Sequence, residues 1–325
     1  MADQEREMTE TSHSGVSLVD VSEDYAGQRI DNFLSARLKG VPKSRIYRLL
    51  RKGEIRVNKG RAKPDRRLEA GDVIRLPPIR VNEVENRRPP DSLLKRLDQA
   101  IVYEDDQIMV IDKPAGIAAH SGTGVEFGVI EGLQACRPDI PGLSLVHRLD
   151  RDTSGCLLLC KDRRILPELN RVLASGTFDK RYLTLVCGAW SGGRQSVHAP
   201  LALRRTGESK RRNEVDHEEG KSSETVFLPR ERLDGLTLLE ARLRSGRMHQ
   251  IRAHAAHIGF PIAGDDEYGD RARNRVLRRS GLRRLFLHAF RLSFDMPGSG
   301  QRICVEVPLA SDLEAVLERL RGSAR

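Results

Sequence analysis

The sequence predicts an α+β protein in which a small basic domain precedes a larger domain with a mixed, mostly antiparallel β-sheet flanked by helices. From Ile101 onwards, strand-like and helix-like patterns follow one another without a regular strand–helix–strand rhythm. The length of 325 residues suits about two domains. The positive charge is concentrated near the N-terminus, which indicates that the two domains differ in their tasks.

The N-terminal domain is predicted from two helical patterns and two short strands. "QRIDNFLSARLKG" has apolar residues at helical spacing, and "SRIYRLLRKG" begins at a candidate N-cap, Ser44, and ends at Gly53. "EIRVN" and "DVIRLP" are typical of short strands joined by turns.

The basic excess of the chain lies in this domain. Between Ala26 and Arg80 there are 16 Lys and Arg against 5 Asp and Glu, a net charge of +11, whereas the whole chain carries +10. Arg45, Arg48 and Lys52 fall at i, i+3 and i+7 of the second helix and form one basic stripe. A charge run is usually a solvated face, but the scarcity of acidic residues favours contact with nucleic-acid phosphates.

Four segments are expected. Residues 1–17 are polar and form a disordered tail, and residues 81–98, with a Pro-Pro pair and weak periodicity, form a linker. The basic domain covers residues 18–80, and the larger domain covers residues 99–322.

Several classes of protein are disfavoured. The five cysteines form no CxxC pair, the N-terminus has no apolar leader, and no run reaches the roughly 18 apolar residues of a membrane span. There is no GxxxxGK[ST] motif, and "GTGVEFG" lacks dinucleotide-binding spacing. The histidines His249, His254 and His257 are more typical of packing than of a metal site. We therefore expect a cytoplasmic monomer that uses neither a metal nor another cofactor and has no membrane partner.

Chemistry must then depend on side chains alone, and three clusters could supply it. "LVHRLDRDTSGCLLLCK" places Asp150 among arginines and a histidine, directly ahead of an apolar strand. "KRYLTLV" contains Tyr182, and "GRMHQIRAH" contains His249 and Arg252.

These clusters resemble the motifs of the RluA-type pseudouridine synthases. "HRLDRDTSG" resembles the HRLDxxTSG signature, and "YEDDQIMVIDKPAGIAAH", "KRYLTLV", "GRMHQIRAHAAHIGFPIAGDDEYG" and "LFLHAFRL" resemble four further motifs in the family's order. Residues 18–80 resemble the S4 RNA-binding domain. The resemblance implies an RNA-modifying isomerase that acts on large-subunit (23S) ribosomal RNA or its precursor, without a cofactor and with the target base flipped out.

The resemblance also implies roles for individual residues. Asp150 matches the catalytic aspartate, Tyr182 the active-site tyrosine and Arg252 the arginine of the third motif. Arg148 matches the arginine that enters the space left by the target base, and His249 is a further candidate to support the flipping of that base. Asp152 falls on a variable position of the signature, and a loop or capping role is preferred for it.

Two alternatives remain open. The chain could be a non-catalytic RNA-binding protein, such as a ribosome-assembly factor, although Asp150, Tyr182 and Arg252 are all present. The same chemistry could act on transfer RNA, which the S4-like domain makes less favoured. The sequence leaves open whether Asp150 attacks the base, attacks C1′ or removes a sugar proton.

Overall fold

The computed structural model describes residues 15–38, 41–79, 88–122, 124–206 and 210–323. The chain divides into two units, which separate between Arg88 and Pro89. Most of the predicted tail, Arg80 of the predicted basic domain and residues 81–87 of the predicted linker lie outside the described residues. In the described ranges, every helix is too short or too polar to cross a membrane.

The N-terminal unit packs two helices on a small antiparallel sheet with the strand order β1-β4-β2-β3. Ile46, Leu49 and Leu50 form the buried face of the second helix, as the apolar spacing predicts. Its elements are β1 (Ser17–Asp20), α1 (Ile30–Arg37), α2 (Lys43–Lys52), β2 (Arg56–Val57), β3 (Gly60–Arg61) and β4 (Val73–Leu76).

Two expectations about this unit need correction. Helix α2 begins at Lys43 with Pro42 at the N-cap, so Ser44 is not the N-cap; Pro42 suits this position because its ring restricts φ and it lacks the N–H donor. Ser17, which was expected in the tail, is the first residue of β1. This strand pairs with β4, the last strand of the unit along the chain. The helix end at Gly53 is confirmed, since Gly53 adopts φ 71°.

The C-terminal unit is built on one large sheet, which confirms the predicted α+β class. Strand β15 pairs in parallel with β8, and the other pairings of this sheet within the described ranges are antiparallel. Its path runs β10-β13-β14-β9-β15-β8-β6-β5, with β16 beside β15 and β7 beside β8. The helices are α3 (Asp91–Asp98), α4 (Val129–Cys136), α5 (Leu166–Ala174), α6 (Gln250–His257), α7 (Arg271–Leu277) and α8 (Ser311–Ser323). The strands are β5 (Ile101–Glu104), β6 (Ile108–Lys113), β7 (Ser144–Leu145), β8 (Ser154–Cys160), β9 (Asp179–Cys187), β10 (Gln195–His198), β11 (Leu201–Thr206), β12 (Lys210–Val215), β13 (Glu224–Leu233), β14 (Leu236–Leu243), β15 (Leu287–Asp295) and β16 (Arg302–Glu306). Strands β11 and β12 form a separate two-stranded hairpin.

Strand β8 runs through the middle of the core, and every one of its residues is buried. Leu157 and Leu159 belong to one hydrophobic cluster, whereas Cys156 and Leu158 belong to a second cluster. Because successive side chains of a strand point to opposite faces, both faces of the sheet are covered here. This explains the continuous apolar run that follows "HRLDRDT" in the sequence.

The predicted linker over residues 81–98 is wrong in its second half. Asp91–Asp98 form helix α3, which packs against α4 within the C-terminal unit. Leu97 is fully buried in the main core, and Leu94 is nearly so. Their spacing of three residues covers a single helical face, and that short pattern is masked by the charged residues around it.

Candidate active site

The loop that carries Asp150 lies between β7 and β8 and is tied down on both sides of this residue. His147 Nε2 accepts a hydrogen bond from the backbone N–H of Leu158 at 3.1 Å. The amine of Lys113, which is fully buried, donates to the carbonyl oxygen of Arg151 at 3.1 Å. Burial lowers the pKa of His147 to about 3 and that of Lys113 to about 7. The aspartate is therefore presented by a short loop with fixed ends.

Two basic side chains of the third motif face the two oxygens of Asp150. Arg252 Nη1 lies 3.5 Å from Asp150 Oδ2, and His249 Nε2 lies 3.8 Å from Asp150 Oδ1. The Asp150 side chain is 22% exposed, so one part of it remains open to the cleft. The arrangement presents a partly open carboxylate next to a fixed positive charge.

The guanidinium of Arg252 is itself held by acidic residues. Asp265 accepts hydrogen bonds from Nε at 2.7 Å and from Nη2 at 2.9 Å, and Glu267 accepts a further one from Nη2 at 3.1 Å. The ring of Tyr268 lies 4.9 Å from the guanidinium carbon. Burial lowers the pKa of Arg252, but the hydrogen bonds and charge of Asp265 more than offset this and raise it above its usual range. Arg252 is thus a permanent cation with a fixed orientation.

His249 is aimed by an unusual backbone. It precedes α6 with φ 54° and ψ 22°, a left-handed conformation that costs energy for a residue other than glycine. Its Nδ1 lies 3.2 Å from the hydroxyl of Tyr268 and 3.5 Å from Glu267 Oε2. Burial lowers the pKa of His249, with opposing effects from Asp150 and Arg252. Burial thus favours the neutral form of the imidazole.

Tyr182 lies on β9 beside the aspartate. Its side chain is buried, and burial together with the charge of Asp150 raises its pKa well above its usual range. Because its hydroxyl keeps its proton, Tyr182 offers an apolar ring and a neutral O–H to the space next to Asp150.

One cleft of about 370 Å³ joins these residues. Asp150, Tyr182, Arg252, His249 and Arg148 all line it, and Arg148 is exposed. Five residues that the sequence analysis selected from three separate motifs therefore meet at a single concave site, whose volume suits a small planar ligand.

The predicted basic stripe lies elsewhere, on α2 of the N-terminal unit. Arg48 and Lys52 are exposed and Arg45 is half-buried. Tyr47, on the same helix, donates a hydrogen bond to Asp31 at 2.6 Å and so links α2 to α1.

Several members of the site are not among the residues predicted from the sequence. Asp265, Glu267 and Tyr268 lie in the quoted "DDEYG", but nothing local indicates that they hold Arg252. Lys180 lines the cleft two residues before Tyr182, and strand alternation could have identified it, since residues i and i+2 share a face.

The three histidines considered for a metal do not converge. His254 is buried and makes contacts of 2.9 Å with Thr225 Oγ1 and the Ala199 carbonyl, whereas His257 is exposed. Within the described ranges, no group of three His, Cys, Asp or Glu residues is placed to hold a metal ion.

The comparisons with known proteins agree on one family. Residues 107–257 match the RNA pseudouridylate synthase family, and residues 28–74 match the S4 domain. Ribosomal large subunit pseudouridine synthase C of Yersinia pestis is 49% identical over 97% of this chain and 98% of its own length. The protein of the same name from Escherichia coli (strain K12) is 50% identical over 96% of this chain and 99% of its own.

Solved structures support the fold. The structure titled "Human RNA Pseudouridylate Synthase Domain Containing 4" matches with a TM-score of 0.59 and 22% identity, covering 71% of this chain and 96% of that chain. The resemblance of the five motifs and of the S4-like segment is thereby confirmed. The chain belongs to the RNA pseudouridylate synthase family, with an S4 domain ahead of the synthase domain.

Proposed function

We propose that this pseudouridine synthase converts specific uridines of large-subunit (23S) ribosomal RNA, or of its precursor, into pseudouridine. The observation that carries the proposal is the cleft in which Asp150 lies 3.5 Å from Arg252 and beside Tyr182. The choice of RNA is supported by relatives about half identical over nearly the whole chain, whose names specify the ribosomal large subunit.

The reaction is an isomerisation. The bond from C1′ to N1 of uracil breaks, the base turns, and a bond from C1′ to C5 forms, while the C5 proton is lost and N1 gains one. Atoms and electrons balance without an oxidant or a group donor, so the proposal includes no cofactor.

Asp150 is proposed as the catalytic carboxylate. Arg252 Nη1 faces one of its oxygens and orients the carboxylate towards the cleft. Tyr182 offers its ring to the uracil and its hydroxyl to the region of the C5 proton.

The target base must leave its stack to reach a carboxylate inside a cleft. Arg148 is exposed at the cleft and is proposed to occupy the space that the base leaves. His249, held by Tyr268 and facing Asp150, is proposed to support the flipped nucleotide.

The S4 domain is proposed to supply sequence-independent RNA affinity through Arg45, Arg48 and Lys52. Residues 18–80 then form the RNA-binding domain and residues 99–322 the main part of the catalytic domain, to which α3 is added. We propose a cytoplasmic monomer as the working form.

Tritium release from RNA labelled at C5 of uridine tests the proposal, with no cofactor added. Asp150→Asn keeps the size of the side chain and removes its charge, so it should abolish release while RNA binding survives. Asp152→Asn is the matched control, because Asp152 is exposed two residues away, and it should keep most of the activity. Equal loss in both folded variants would refute the assignment to Asp150.

The substrate is tested by mapping pseudouridines in cells that lack the protein. The proposal expects missing sites in large-subunit ribosomal RNA. Sites missing from transfer RNA alone would overturn the choice of substrate, and wild-type protein that releases no tritium from ribosomal RNA would favour a binding role.

A further inference from the structure

Lys180 has a buried amine at the cleft for which the described residues supply no partner. The residue is 8% exposed and lines the same cleft as Asp150 and Tyr182. Within the described part of the chain, its Nζ has neither a hydrogen-bond acceptor nor a carboxylate within ion-pair distance. Buried amines usually have hydrogen-bond acceptors, as Lys113 does, whose amine donates to three carbonyl oxygens.

The position of Lys180 follows from the strand. Lys180 and Tyr182 are two residues apart on β9, so their side chains point to the same face, about 7 Å apart. A Cβ placed on Gly246, which also lines the cleft, would lie 3.4 Å from Lys180 Nζ. The amine therefore lies at the wall of the cleft rather than within the apolar core.

No carboxylate in the described part of the chain lies within ion-pair distance of this amine. Burial lowers the pKa of Lys180 to about 8, so the group is still mostly protonated near neutral pH. The neighbouring His147 is neutral, because burial and then the charge of Lys180 lower its pKa to about 3. A desolvated ammonium without a counter-charge is costly, so a group that enters the cleft with negative charge would gain more here than in water.

We propose that Lys180 contacts the substrate, with its amine binding an anionic oxygen of the target nucleotide. This oxygen belongs either to a backbone phosphate or to a uracil carbonyl that gains charge while the glycosidic bond is broken. In the second case the electron pair of the C1′–N1 bond is delocalised over N1 and the carbonyl oxygens until C5 bonds to C1′. The inference rests on the proposed function of the cleft.

Equilibrium binding tests the contact without depending on turnover. Lys180→Met is measured in an Asp150→Asn background against a short RNA that carries a mapped target uridine, with and without a methylphosphonate beside that uridine. Lys95→Met is the matched control, since Lys95 is exposed on α3 of the same unit. A phosphate contact predicts about 10- to 100-fold weaker binding for Lys180→Met, no further loss with the methylphosphonate, and less than twofold loss for Lys95→Met.

Single-turnover rates test the base. With Asp150 intact, Lys180→Met should lower the rate about 10- to 100-fold if the amine binds a uracil oxygen. Its effect should then shrink on RNA in which the target is 2-thiouridine or 4-thiouridine, because sulfur is the weaker hydrogen-bond acceptor. The proposal is supported if the effect of Lys180→Met is reduced either by the methylphosphonate or by the thiouridines. Which of the two modifications reduces it identifies the oxygen that Lys180 contacts.

Thermal unfolding separates this contact from a structural role. Removing an unbalanced buried charge should leave the Tm of Lys180→Met unchanged or higher. A lower Tm with a parallel loss of activity would overturn the proposal. It would also be overturned if Lys180→Met had the same effect on unmodified RNA, on the methylphosphonate RNA and on the thiouridine RNAs. Wild-type protein that binds the RNA but releases no tritium would refute the proposed function, while the binding arm would still report on Lys180.

Discussion

The pair formed by Asp265 and Arg252 is the most direct test of how the site is held. Asp265→Asn is nearly isosteric but removes the charge that faces the guanidinium, and its amide N–H groups replace an acceptor with a donor. The Asp265 side chain is 0% exposed and the Arg252 side chain 10%, so water cannot replace the lost partner. In this variant the buried guanidinium of Arg252 loses its closest negative charge.

The expected magnitude follows from burial and the remaining partners. Removing one member of a buried ion pair costs about 3–5 kcal/mol. Glu267 and Asp150 still face Arg252 at 3.1 and 3.5 Å, so the lower end, about 3 kcal/mol, is expected. For a domain of this size about 2–4 °C of Tm corresponds to each kcal/mol, so the Tm should fall by about 6–12 °C. A shift of about 1 Å in Arg252 would cost about 100-fold in the single-turnover rate.

The pH dependence supplies a second signature. Burial raises the pKa of Asp265, but the hydrogen bonds and charge of Arg252 outweigh this and hold it below its usual range. Because the pKa of the folded state is lowered, this stabilisation is fully present above the unfolded value of about 3.9 and is lost as the pH falls further. The difference in unfolding free energy between wild type and Asp265→Asn should therefore be constant above about pH 5 and shrink below about pH 4.

Calorimetric unfolding and tritium release, both run from pH 3 to 8 where the RNA is stable, measure these effects. The control is Asp266→Asn, because the neighbouring Asp266 side chain is 86% exposed and lies 3.8 Å from Arg278. That change should cost less than about 0.5 kcal/mol and leave activity unchanged. If Asp265→Asn matches Asp266→Asn in Tm and rate, Asp265 does not hold Arg252 and the reasoning fails.

Three further predictions test other parts of the molecule. Replacing Arg45, Arg48 and Lys52 together by Gln should flatten the slope of log affinity against log salt by about 2–3 in filter binding, and an unchanged slope would exclude the stripe as a phosphate contact. Glu104 accepts hydrogen bonds from Arg137 and Lys161, and these lower its pKa to about 2 although burial acts in the opposite direction. Because the pKa of the folded state is lowered, the free energy of unfolding of the wild type should fall between pH 4.5 and 2. In urea unfolding, the free energy of unfolding of Glu104→Gln should depend less on pH in this range than that of the wild type. The same pH dependence in both proteins would count against the pairing of Glu104 with Arg137 and Lys161. Gly155→Ala should unfold at markedly lower temperature, because Gly155 has φ 108° and a Cβ there would lie 2.2 Å from the Ala289 carbonyl oxygen; an unchanged Tm would mean that β8 and β15 can separate.

Local patterns in the sequence determined a large part of the fold. The spacing of apolar residues identified α2, and the run "GCLLLC" identified β8, because helical and strand periodicities are properties of neighbouring residues. The order of five motifs identified the family, since a motif needs no knowledge of the fold. The charge imbalance of residues 26–80 marked the RNA-binding domain, because net charge can be counted without coordinates.

Weak or interrupted patterns misled the same reasoning. The sequence pattern does not predict helix α3, because only eight residues, half of them charged, carry its apolar face. The N-cap of α2 is Pro42, two residues before the predicted Ser44, since a good N-cap side chain at Ser44 competes with the backbone restriction of Pro42.

Only the tertiary structure decided which side chains meet. Asp150 and Arg252 are separated by about a hundred residues, yet their side chains meet in the cleft. Arg252 lies on α6, and its principal partner, Asp265, lies in the segment after that helix. The lack of a partner for Lys180 among the described residues is likewise invisible in the sequence, because it depends on all the groups packed around the amine. The elements with a strong local pattern, the family and the candidate residues could be predicted from the sequence, since these depend on neighbours along the chain. The packing of one sheet decided the ion pairs, the orientation of the carboxylate and the shape of the cleft, since these depend on neighbours in space.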